Sequence, residues 1–419
     1  MDTHPPTQTS ANPHIRQLVA SRQEGYALPR AFYHDLALYA HESQSIWRNG
    51  WLFAGFTCQI PHPGDFFTLN VEDDTLIILR GDDEQIRAFH NVCTHRGTLL
   101  TTEAHGSVRA LVCPYHQWTF TRQGELFHCS GMQEGLDKSR LGLHQVQLET
   151  CAGLIFLSFA HQPPAFEPAR QSLAPLAMPQ GFERAKIAWS KRYEVKANWK
   201  LIWENNRECY HCNVNHPQYI KSNFDIYEDG QLSQRLQERL AVALERSKNE
   251  DDELAISHRQ GGLATFPDAE HNIWYAANRT LLTEGYLSES LDGQRVAPLM
   301  GTYHDERGGV LRLRTLPNFW CHASCDHAVT THLLPLDLHR TLVRVTWLVH
   351  EEAQVARDYT LEKLLPFWQL TSEQDWGLCE RVQRGVNSSA YLPGPLSILR
   401  EYNLDAFLRW YLFQLSSWK

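Results

Sequence analysis

Residues 198–217 read N-W-K-L-I-W-E-N-N-R-E-C-Y-H-C-N-V-N-H-P and bring one carboxylate and two imidazoles into a short segment. Glu208 and His211 are three residues apart, which predicts that both side chains lie on one face of a helix. Because a residue before proline is disfavoured in the helical region, His216, which precedes Pro217, is expected to leave the helix end. Two neutral imidazoles and one distant carboxylate would form the facial triad of a non-haem Fe(II) site with open positions for dioxygen. A polar patch of hydrogen-bonded histidines explains the same residues without a metal.

A second group of potential ligands lies upstream, where Cys93-Thr94-His95 is followed, after a gap, by Cys113-Pro114-Tyr115-His116. Each short loop supplies one thiolate and one imidazole. This mixed spacing is typical of a Rieske 2Fe–2S centre, in which Cys93 and Cys113 would hold one iron and His95 and His116 the other. Tetrahedral zinc is the strongest competitor, but zinc fingers usually begin with a pair of cysteines and end with a pair of histidines.

The composition limits the classes of function. The 419-residue chain is long enough for two domains, and 42% hydrophobic residues provide material for a core. The net charge of −9 argues against nucleic acid as the main partner. No apolar run approaches the ~20 residues of a membrane span, and no apolar signal core opens the chain. The ten cysteines of such a chain predict reduced thiols or metal ligands, and a cytoplasmic location.

The pattern along the chain predicts an α+β fold in three parts. These are an N-terminal arm with a helical lead-in, a small antiparallel β domain that carries the cluster, and a larger domain that carries the mononuclear iron, at residues 1–50, 51–165 and 166–419. Short β-rich runs separated by turn residues indicate the β domain. In the larger domain, residues 311–350 predict consecutive antiparallel strands, and residues 355–386 predict a helix kinked at Pro366.

The motifs occur in the order found in Rieske non-haem iron oxygenase α subunits, and the chain resembles that family from about residue 30 onward. More narrowly, residues 204–212 (E-N-N-R-E-C-Y-H-C) and 383–395 (Q-R-G-V-N-S-S-A-Y-L-P-G-P) resemble the glycine betaine monooxygenase oxygenase components, to which stachydrine demethylase and carnitine monooxygenase are related. The resemblance implies a catalytic domain of the helix-grip type. It also implies hydroxylation of an N-methyl group of a quaternary amine such as glycine betaine, giving dimethylglycine and formaldehyde. The alternatives are hydroxylation of an aromatic ring or aromatic acid, and Rieske electron transfer without oxygenase activity.

The resemblance implies that His211 and His216 bind the mononuclear Fe(II) and that Asp375 is the third ligand. A local observation supports an inward orientation of this carboxylate. Asp375 lies on a helical stripe of less polar residues, which are Leu378, Cys379 and Val382. From the residues alone, Glu373 and Glu380 on the same predicted helix remain alternatives.

By the same resemblance, Glu208 is a bridge and not an iron ligand. In the family this carboxylate links an iron-binding histidine to a Rieske histidine of the neighbouring subunit, which here would be His211 and His116. The resemblance therefore implies a homotrimer that receives electrons from a separate NAD(P)H-dependent flavin/iron–sulfur reductase. Two residues depart from many relatives, which have Asp at the position of Glu208 and Gly at the position of Gln117.

The sequence does not identify the residues that contact the substrate. Aromatic faces attract trimethylammonium groups, and four aromatic residues of the catalytic domain are candidates for such a cage: Trp274, Tyr275, Trp320 and Trp347. Each of them is more simply explained as a core residue, because large aromatic side chains dominate protein interiors. The Cys209–Cys212 pair, at helical spacing beside the predicted iron site, is expected to reflect packing and not redox chemistry.

Overall fold

The computed structural model describes residues 13–223, residues 265–417 and isolated helical positions between 234 and 245. Its architecture confirms the predicted α+β fold, with a small antiparallel β domain followed by a larger domain in which helices flank an antiparallel sheet. The first part of the predicted N-terminal arm, residues 1–12, lies outside the described residues. None of the described helices is both long enough and apolar enough to cross a membrane.

The β domain contains ten strands: β1 (Leu52–Phe56), β2 (Asp65–Val71), β3 (Asp74–Arg80), β4 (Ile86–His90), β5 (His105–Ser107), β6 (Leu111–Val112), β7 (Thr119–Phe120), β8 (Leu126–His128), β9 (Gln145–Cys151) and β10 (Leu154–Ser158). Seven of them form one sheet in the order β1-β10-β9-β4-β3-β2-β5, and β6, β7 and β8 form a second. Successive residues of a strand point to opposite faces. Accordingly, Leu76 and Ile78 of β3 join the main core, whereas Ile77 and Leu79 pack in a separate core with the cysteines of the two predicted cluster loops.

The larger domain contains six strands: β11 (Ala185–Val195), β12 (Tyr275–Thr280), β13 (Val310–Thr315), β14 (Phe319–Ala323), β15 (Ala328–Asp337) and β16 (Arg340–His350). They form an antiparallel sheet in the order β11-β16-β15-β14-β13-β12. The consecutive strands predicted for residues 311–350 are therefore confirmed. In β14, Trp320 and His322 share one face of the sheet and Cys321 points to the other, because side chains alternate along a strand.

Nine α-helices are described: α1 (Pro13–Ala20), α2 (Leu36–Glu42), α3 (Glu167–Ala177), α4 (Trp199–Asn206), α5 (Cys212–Asn215), α6 (Pro217–Ser222), α7 (Leu361–Leu364), α8 (Pro366–Val386) and α9 (Tyr402–Ser417). The prediction of a helix over residues 355–386 with a kink at Pro366 is partly correct, because residues 361–364 and 366–386 are helical and are separated directly before Pro366. Residues 355–360 are not helical, and Pro366 is the first residue of α8, where its missing N–H costs no hydrogen bond.

Helix α4, which leads into residues 207–216, is held by a buried polar network. The Asn198 side chain accepts a hydrogen bond from the backbone N–H of Lys200 at 3.1 Å and caps the helix. The Lys200 Nζ donates to Glu42 Oε1 at 2.7 Å, and both side chains are at most 1% exposed. Trp199 Nε1 and the Tyr411 hydroxyl also donate to Glu42. The network therefore ties α2, α4 and α9 together behind the predicted iron site.

Candidate active site and metal centres

The two predicted cluster loops have the same backbone turn. The Gly97 N–H donates to the Cys93 carbonyl at 2.9 Å, and the Gln117 N–H donates to the Cys113 carbonyl at 3.0 Å. Both turns end at a positive φ, 78° for Gly97 and 60° for Gln117. This conformation favours glycine. The departure noted at Gln117 therefore falls at a position where the backbone itself prefers the glycine of the relatives.

The four predicted cluster ligands lie together as two pairs. The Cys93 and Cys113 thiols are buried side by side, and burial raises the pKa of Cys93. The rings of His95 and His116 are 4.8 Å apart between centroids, and Trp118 stacks on His95 at 4.7 Å. A Rieske cluster needs two thiolates on one iron and two imidazoles on the other. The donor set and its pairing fit that group.

The second predicted centre brings three side chains to one point. Asp375 Oδ1 lies 2.9 Å from His216 Nε2 and 3.2 Å from His211 Nε2. Two ligand atoms at right angles around a metal, each about 2.1 Å from it, are about 3.0 Å apart. The separations between the carboxylate oxygen and the two imidazole nitrogens therefore suit a shared ion, and the donor types are those of a facial triad.

Residues 207–211 form a turn, so the helical face predicted for Glu208 and His211 is wrong. Helix α4 ends at Asn206, and the Glu208 carboxylate then accepts the backbone N–H of Tyr210 and, at 3.3 Å, that of His211. Glu208 Oε1 also accepts from His211 Nδ1 at 2.5 Å. Since Nδ1 is bound in this way, Nε2 of His211 is directed to Asp375. The short spacing still brings the two side chains together, through a turn and not a helix.

His216 leaves the helical region as predicted, with φ −125° and ψ 64° between α5 and α6. Its Nδ1 lies 2.8 Å from Gln374 Oε1, so the amide orients the ring with Nε2 toward Asp375. Burial opposes protonation of His211, but the hydrogen bonds to Asp375 and Glu208 outweigh it and raise the pKa of His211 to about 10. Burial alone would raise the pKa of Asp375, but the hydrogen bonds from both histidines lower it. The contacts with both imidazoles therefore favour the ionised form of the Asp375 carboxyl group.

The sulfur of Cys212 lies within 4.8 Å of ligand atoms of His211 and His216. It is bonded to Cys209 in a disulfide, whose Cα atoms are 4.9 Å apart. The expectation of reduced thiols is therefore wrong for this pair. A disulfide sulfur has no thiolate charge to offer an iron. Asp375, which contacts both imidazoles, is the chemically suitable third ligand.

Asp375 faces the histidines, but the stripe used to predict this is only partly correct. Cys379 is buried, as predicted, whereas Val382 is 48% exposed. The buried side of α8 is formed by residues spaced three and four apart: Phe367, Trp368, Thr371, Ser372, Trp376, Cys379, Gln383 and Val386. Glu373 pairs with Lys191 at 2.7 Å and Glu380 accepts the Lys196 N–H at 3.0 Å, so neither acid faces the site.

A cavity of about 620 Å³, counting its open mouth, adjoins the triad. Its wall contains both histidines, Asp375 and Glu208, together with four large aromatic residues: Tyr219, Trp320, Trp368 and Trp376. Two pairs of these rings are close, Tyr219 with Trp368 at 6.1 Å and Trp320 with Trp376 at 6.4 Å between centroids. Aromatic faces of this kind attract quaternary ammonium groups.

Only Trp320 of the four predicted cage residues lines this cavity. Trp347 is fully buried, and Trp274 lines a different cavity with Trp51 and packs against Tyr275. The core explanation is confirmed for those three. The sequence analysis missed Tyr219, His322, Trp368 and Trp376, all of which line the cavity. A signal for one of them was present, because Trp368 lies about two helical turns before Asp375 and so on the same face of α8.

Comparison with known proteins agrees with this geometry. Residues 182–417 match the family described as "Ring hydroxylating alpha subunit (catalytic domain)", and residues 50–146 match "Rieske [2Fe-2S] domain". The glycine betaine monooxygenase oxygenase subunit of Chromohalobacter salexigens is 38% identical over 398 residues, which are 94% of this chain and 87% of that protein. The subunit of the same description from Pseudomonas aeruginosa strain UCBPP-PA14 is 37% identical over 94% of this chain and 90% of its own length.

Solved structures with lower identity show the same fold. A quaternary ammonium Rieske monooxygenase superimposes with a TM-score of 0.70 at 22% identity, covering 94% of this chain and 97% of the other. Naphthalene 1,2-dioxygenase from Rhodococcus sp. gives 0.68 at 16% identity, covering 97% and 99%. The chain therefore belongs to the ring-hydroxylating α-subunit family, and it is a Rieske non-haem iron oxygenase that uses a 2Fe–2S cluster, a mononuclear iron and dioxygen.

Proposed function

We propose that this protein is the terminal oxygenase that hydroxylates an N-methyl group of a quaternary amine such as glycine betaine, giving dimethylglycine and formaldehyde. The observation that carries the proposal is the position of the two histidines and Asp375 in the wall of a cavity that also contains four large aromatic rings. An aromatic pocket suits a trimethylammonium group, which carries charge but no hydrogen-bond donor. The names of the relatives with 37–38% identity agree with this substrate class.

His211, His216 and Asp375 hold the mononuclear iron, and Cys93, His95, Cys113 and His116 hold the cluster. Support for the first set comes from the contacts of Asp375 Oδ1 with both Nε2 atoms. Support for the second comes from the buried thiol pair and the neighbouring imidazole pair. When bound, the cluster supplies electrons and the mononuclear iron activates dioxygen.

The residues of the chain position the substrate for this chemistry. The aromatic rings hold the methylammonium group so that one N-methyl carbon faces the two histidines and Asp375. One oxygen atom of dioxygen enters a C–H bond of that carbon, and the other leaves as water with two electrons and two protons. The hydroxymethyl ammonium then loses the proton of its hydroxyl group, and its C–N bond breaks so that formaldehyde leaves and the electron pair of the bond makes the nitrogen neutral.

His116, Glu208 and His211 would connect the cluster of one subunit with the iron site of its neighbour, and electrons would pass along this connection. His116 is exposed, which leaves its ring accessible to another chain, and Glu208 is bonded to His211 Nδ1. Transfer between neighbours suits a closed ring of subunits built from one head-to-tail contact, and the homotrimer is the ring that the family resemblance implies. A separate NAD(P)H-dependent flavin/iron–sulfur reductase supplies the electrons. The reaction takes place in the cytoplasm, where NAD(P)H is available to that reductase.

The proposal is tested with the purified holoprotein and a compatible reductase. Glycine betaine, other betaines and a panel of aromatic acids are supplied, and formaldehyde and hydroxylated products are measured. Formaldehyde from a betaine supports the proposal, whereas hydroxylated aromatic acids without formaldehyde from any betaine would reject it. Iron analysis addresses the alternative of a simple electron carrier, because an oxygenase holds three irons per chain and a carrier holds two.

A further inference from the structure

One polar residue of the cavity wall is placed to recognise the end of the substrate that carries no methyl groups. His322 of β14 lines the cavity, and its ring meets that of Trp368 edge to face at 4.2 Å between centroids. It comes from the sheet, whereas Asp375 comes from α8 and Glu208 from the turn after α4. The inference drawn from His322 rests on the proposed function and identifies the substrate class more closely.

The hydrogen bonding of His322 determines which ring nitrogen carries the proton. Its Nδ1 is bonded to Nη1 of Arg312, the residue directly opposite on β13. A guanidinium has only donors, so Nδ1 of His322 must accept. In the neutral ring the proton is then on Nε2. The free nitrogen of His322 is therefore a hydrogen-bond donor and cannot serve as an acceptor.

Buried partners hold Arg312 in this position. Arg312 Nη2 donates to Glu289 Oε1 at 2.8 Å, and both side chains are at most 2% exposed. The side-chain oxygen of Asn223, Oδ1, accepts from the same nitrogen at 2.6 Å. Trp368 Nε1 donates to the other carboxylate oxygen of Glu289 at 3.2 Å. One carboxylate thus orients both Trp368 and, through Arg312, His322, so this part of the wall is organised before a substrate binds.

The charge around the cavity differs between the sheet side and the helix side. The carboxylates that line the cavity, Glu208 and Asp375, both bond to the iron-site histidines. On the sheet side, Arg314 lies directly opposite Trp320 and on the same face as Arg312. Arg314 is buried and its Nε has no hydrogen-bond partner. The same is true of all three guanidinium nitrogens of Arg207 within the described structure.

The buried Arg314 guanidinium makes the sheet side electropositive, since no carboxylate of the described residues pairs with it. Burial and the proximity of Arg312 lower the pKa of Arg314 to about 10, but the group stays charged at neutral pH. Arg312 is balanced by Glu289, so the excess charge comes from Arg314, whereas burial and the proximity of Arg314 hold the pKa of Arg207 well below its usual range. A zwitterion in the cavity is therefore oriented with its anionic end toward the sheet and its cationic end toward the iron site.

We propose that the Nε2–H of His322 binds the carboxylate of the substrate, and that this contact selects short methylammonium carboxylates over methylammonium alcohols and simple amines. The carboxylate points to His322 while the N-methyl groups lie among the aromatic rings beside the triad. In this arrangement His322 determines specificity and takes no part in the chemistry at the iron.

The test compares His322→Leu, which removes the donor, with His322→Gln, which retains an N–H group. Holoenzyme variants are assayed with glycine betaine for kcat and KM, and with choline as a competitive probe that has the same cation but no carboxylate. His322→Leu should raise KM for glycine betaine on the order of 10- to 100-fold, the usual range for a hydrogen bond to a charged group. The inhibition constant of choline for His322→Leu should change less than about threefold. The KM of His322→Gln for glycine betaine should lie between the values of the wild type and His322→Leu.

The control is His350→Gln at the end of β16, outside the cavity lining, which should match the wild type. Equal weakening of choline and glycine betaine by His322→Leu would indicate a structural role and overturn the inference. An unchanged KM for glycine betaine would overturn it as well. If His322→Leu does not fold, the wild-type structure with glycine betaine decides: a carboxylate oxygen within hydrogen-bond distance of His322 Nε2 supports the inference, and a carboxylate bound elsewhere rejects it. Failure of the wild type to release formaldehyde from any betaine would instead reject the proposed function.

Discussion

Replacement of Glu208 by glutamine tests the connection between the two metal centres. The substitution keeps the size of the side chain but removes the charge that holds His211 Nδ1 at 2.5 Å. Glu208 also accepts the backbone N–H groups of Tyr210 and His211, so its two oxygens face three donors. The glutamine amide has only one oxygen that can accept, and its NH₂ group would face a donor with which it cannot form a hydrogen bond. At least one of these hydrogen bonds is therefore lost.

The magnitude follows from the kind of bond that is lost. A hydrogen bond to a charged group contributes about 1.5–3 kcal/mol, and loss of a carboxylate that orients a metal-binding histidine typically lowers metal affinity or activity about 10- to 100-fold. We therefore expect kcat/KM for formaldehyde release to fall about 10- to 100-fold in Glu208→Gln. Glu208→Asp keeps the charge but is one methylene shorter, so its loss should be smaller.

Three measurements distinguish the ways in which Glu208 can act. If it only orients His211, iron content falls from three to two per chain. If it instead connects the centres without being needed for iron binding, iron content stays at three and the cluster is still reduced, but product formation is lost. Glu373→Gln is the matched control, because Glu373 is on the solvent side of α8 and pairs with Lys191. Three irons per chain with activity within threefold of the wild type would refute the reasoning.

Three further predictions concern stability. Gln117→Gly should raise the free energy of unfolding by about 1 kcal/mol, because Gln117 has φ 60° and glycine adopts this conformation without strain. Gly97→Ala, at φ 78°, should lower it by a similar amount. Thermal unfolding measures both changes, and the cluster absorbance checks that the variants still hold the cluster. Glu42→Gln should cost about 3–5 kcal/mol, because it leaves the Lys200 ammonium buried without its counter-charge; denaturant unfolding tests this, and a loss under 1 kcal/mol would contradict it. Burial raises the pKa of Glu204 to about 7 although Tyr33 and Lys200 lower it. The stability that Glu204 contributes is therefore full below the unfolded pKa near 4.5 and is lost as pH rises through about 7. Glutamine does not titrate, so the melting temperature of Glu204→Gln minus that of the wild type should increase between pH 5 and 8.

The sequence alone was sufficient for features that depend on local spacing. Cys93, His95, Cys113 and His116 could be assigned because each loop is a short turn that carries its own thiolate and imidazole. Each turn is closed by a hydrogen bond between residues four apart, Gly97 with Cys93 and Gln117 with Cys113, so its ligands are placed by local structure. The antiparallel strands of residues 311–350 were also predicted, because continuous runs rich in β-branched and apolar residues, notably residues 341–350, favour a strand by themselves.

Features that depend on distant segments required the tertiary structure. The acidic residues of α8 are close in sequence, and only the packing of α8 against the sheet and α4 turns Asp375 toward the histidines while Glu373 and Glu380 face outward. The aromatic wall was missed for the same reason. Tyr219, Trp320, Trp368 and Trp376 come from three separate elements, and no spacing within one of them marks a cavity.

The sequence by itself thus determined the chemical inventory of this protein, which is an iron–sulfur donor set, two histidines and the order of the domains. Only the tertiary structure decided which acid of α8 lies against His211 and His216, which aromatic rings surround that acid and which nitrogen of His322 contacts Arg312. The physical reason is that metal-binding groups are specified by residue type and short spacing. A cavity, in contrast, exists only where elements far apart in the chain pack together and leave its wall unfilled.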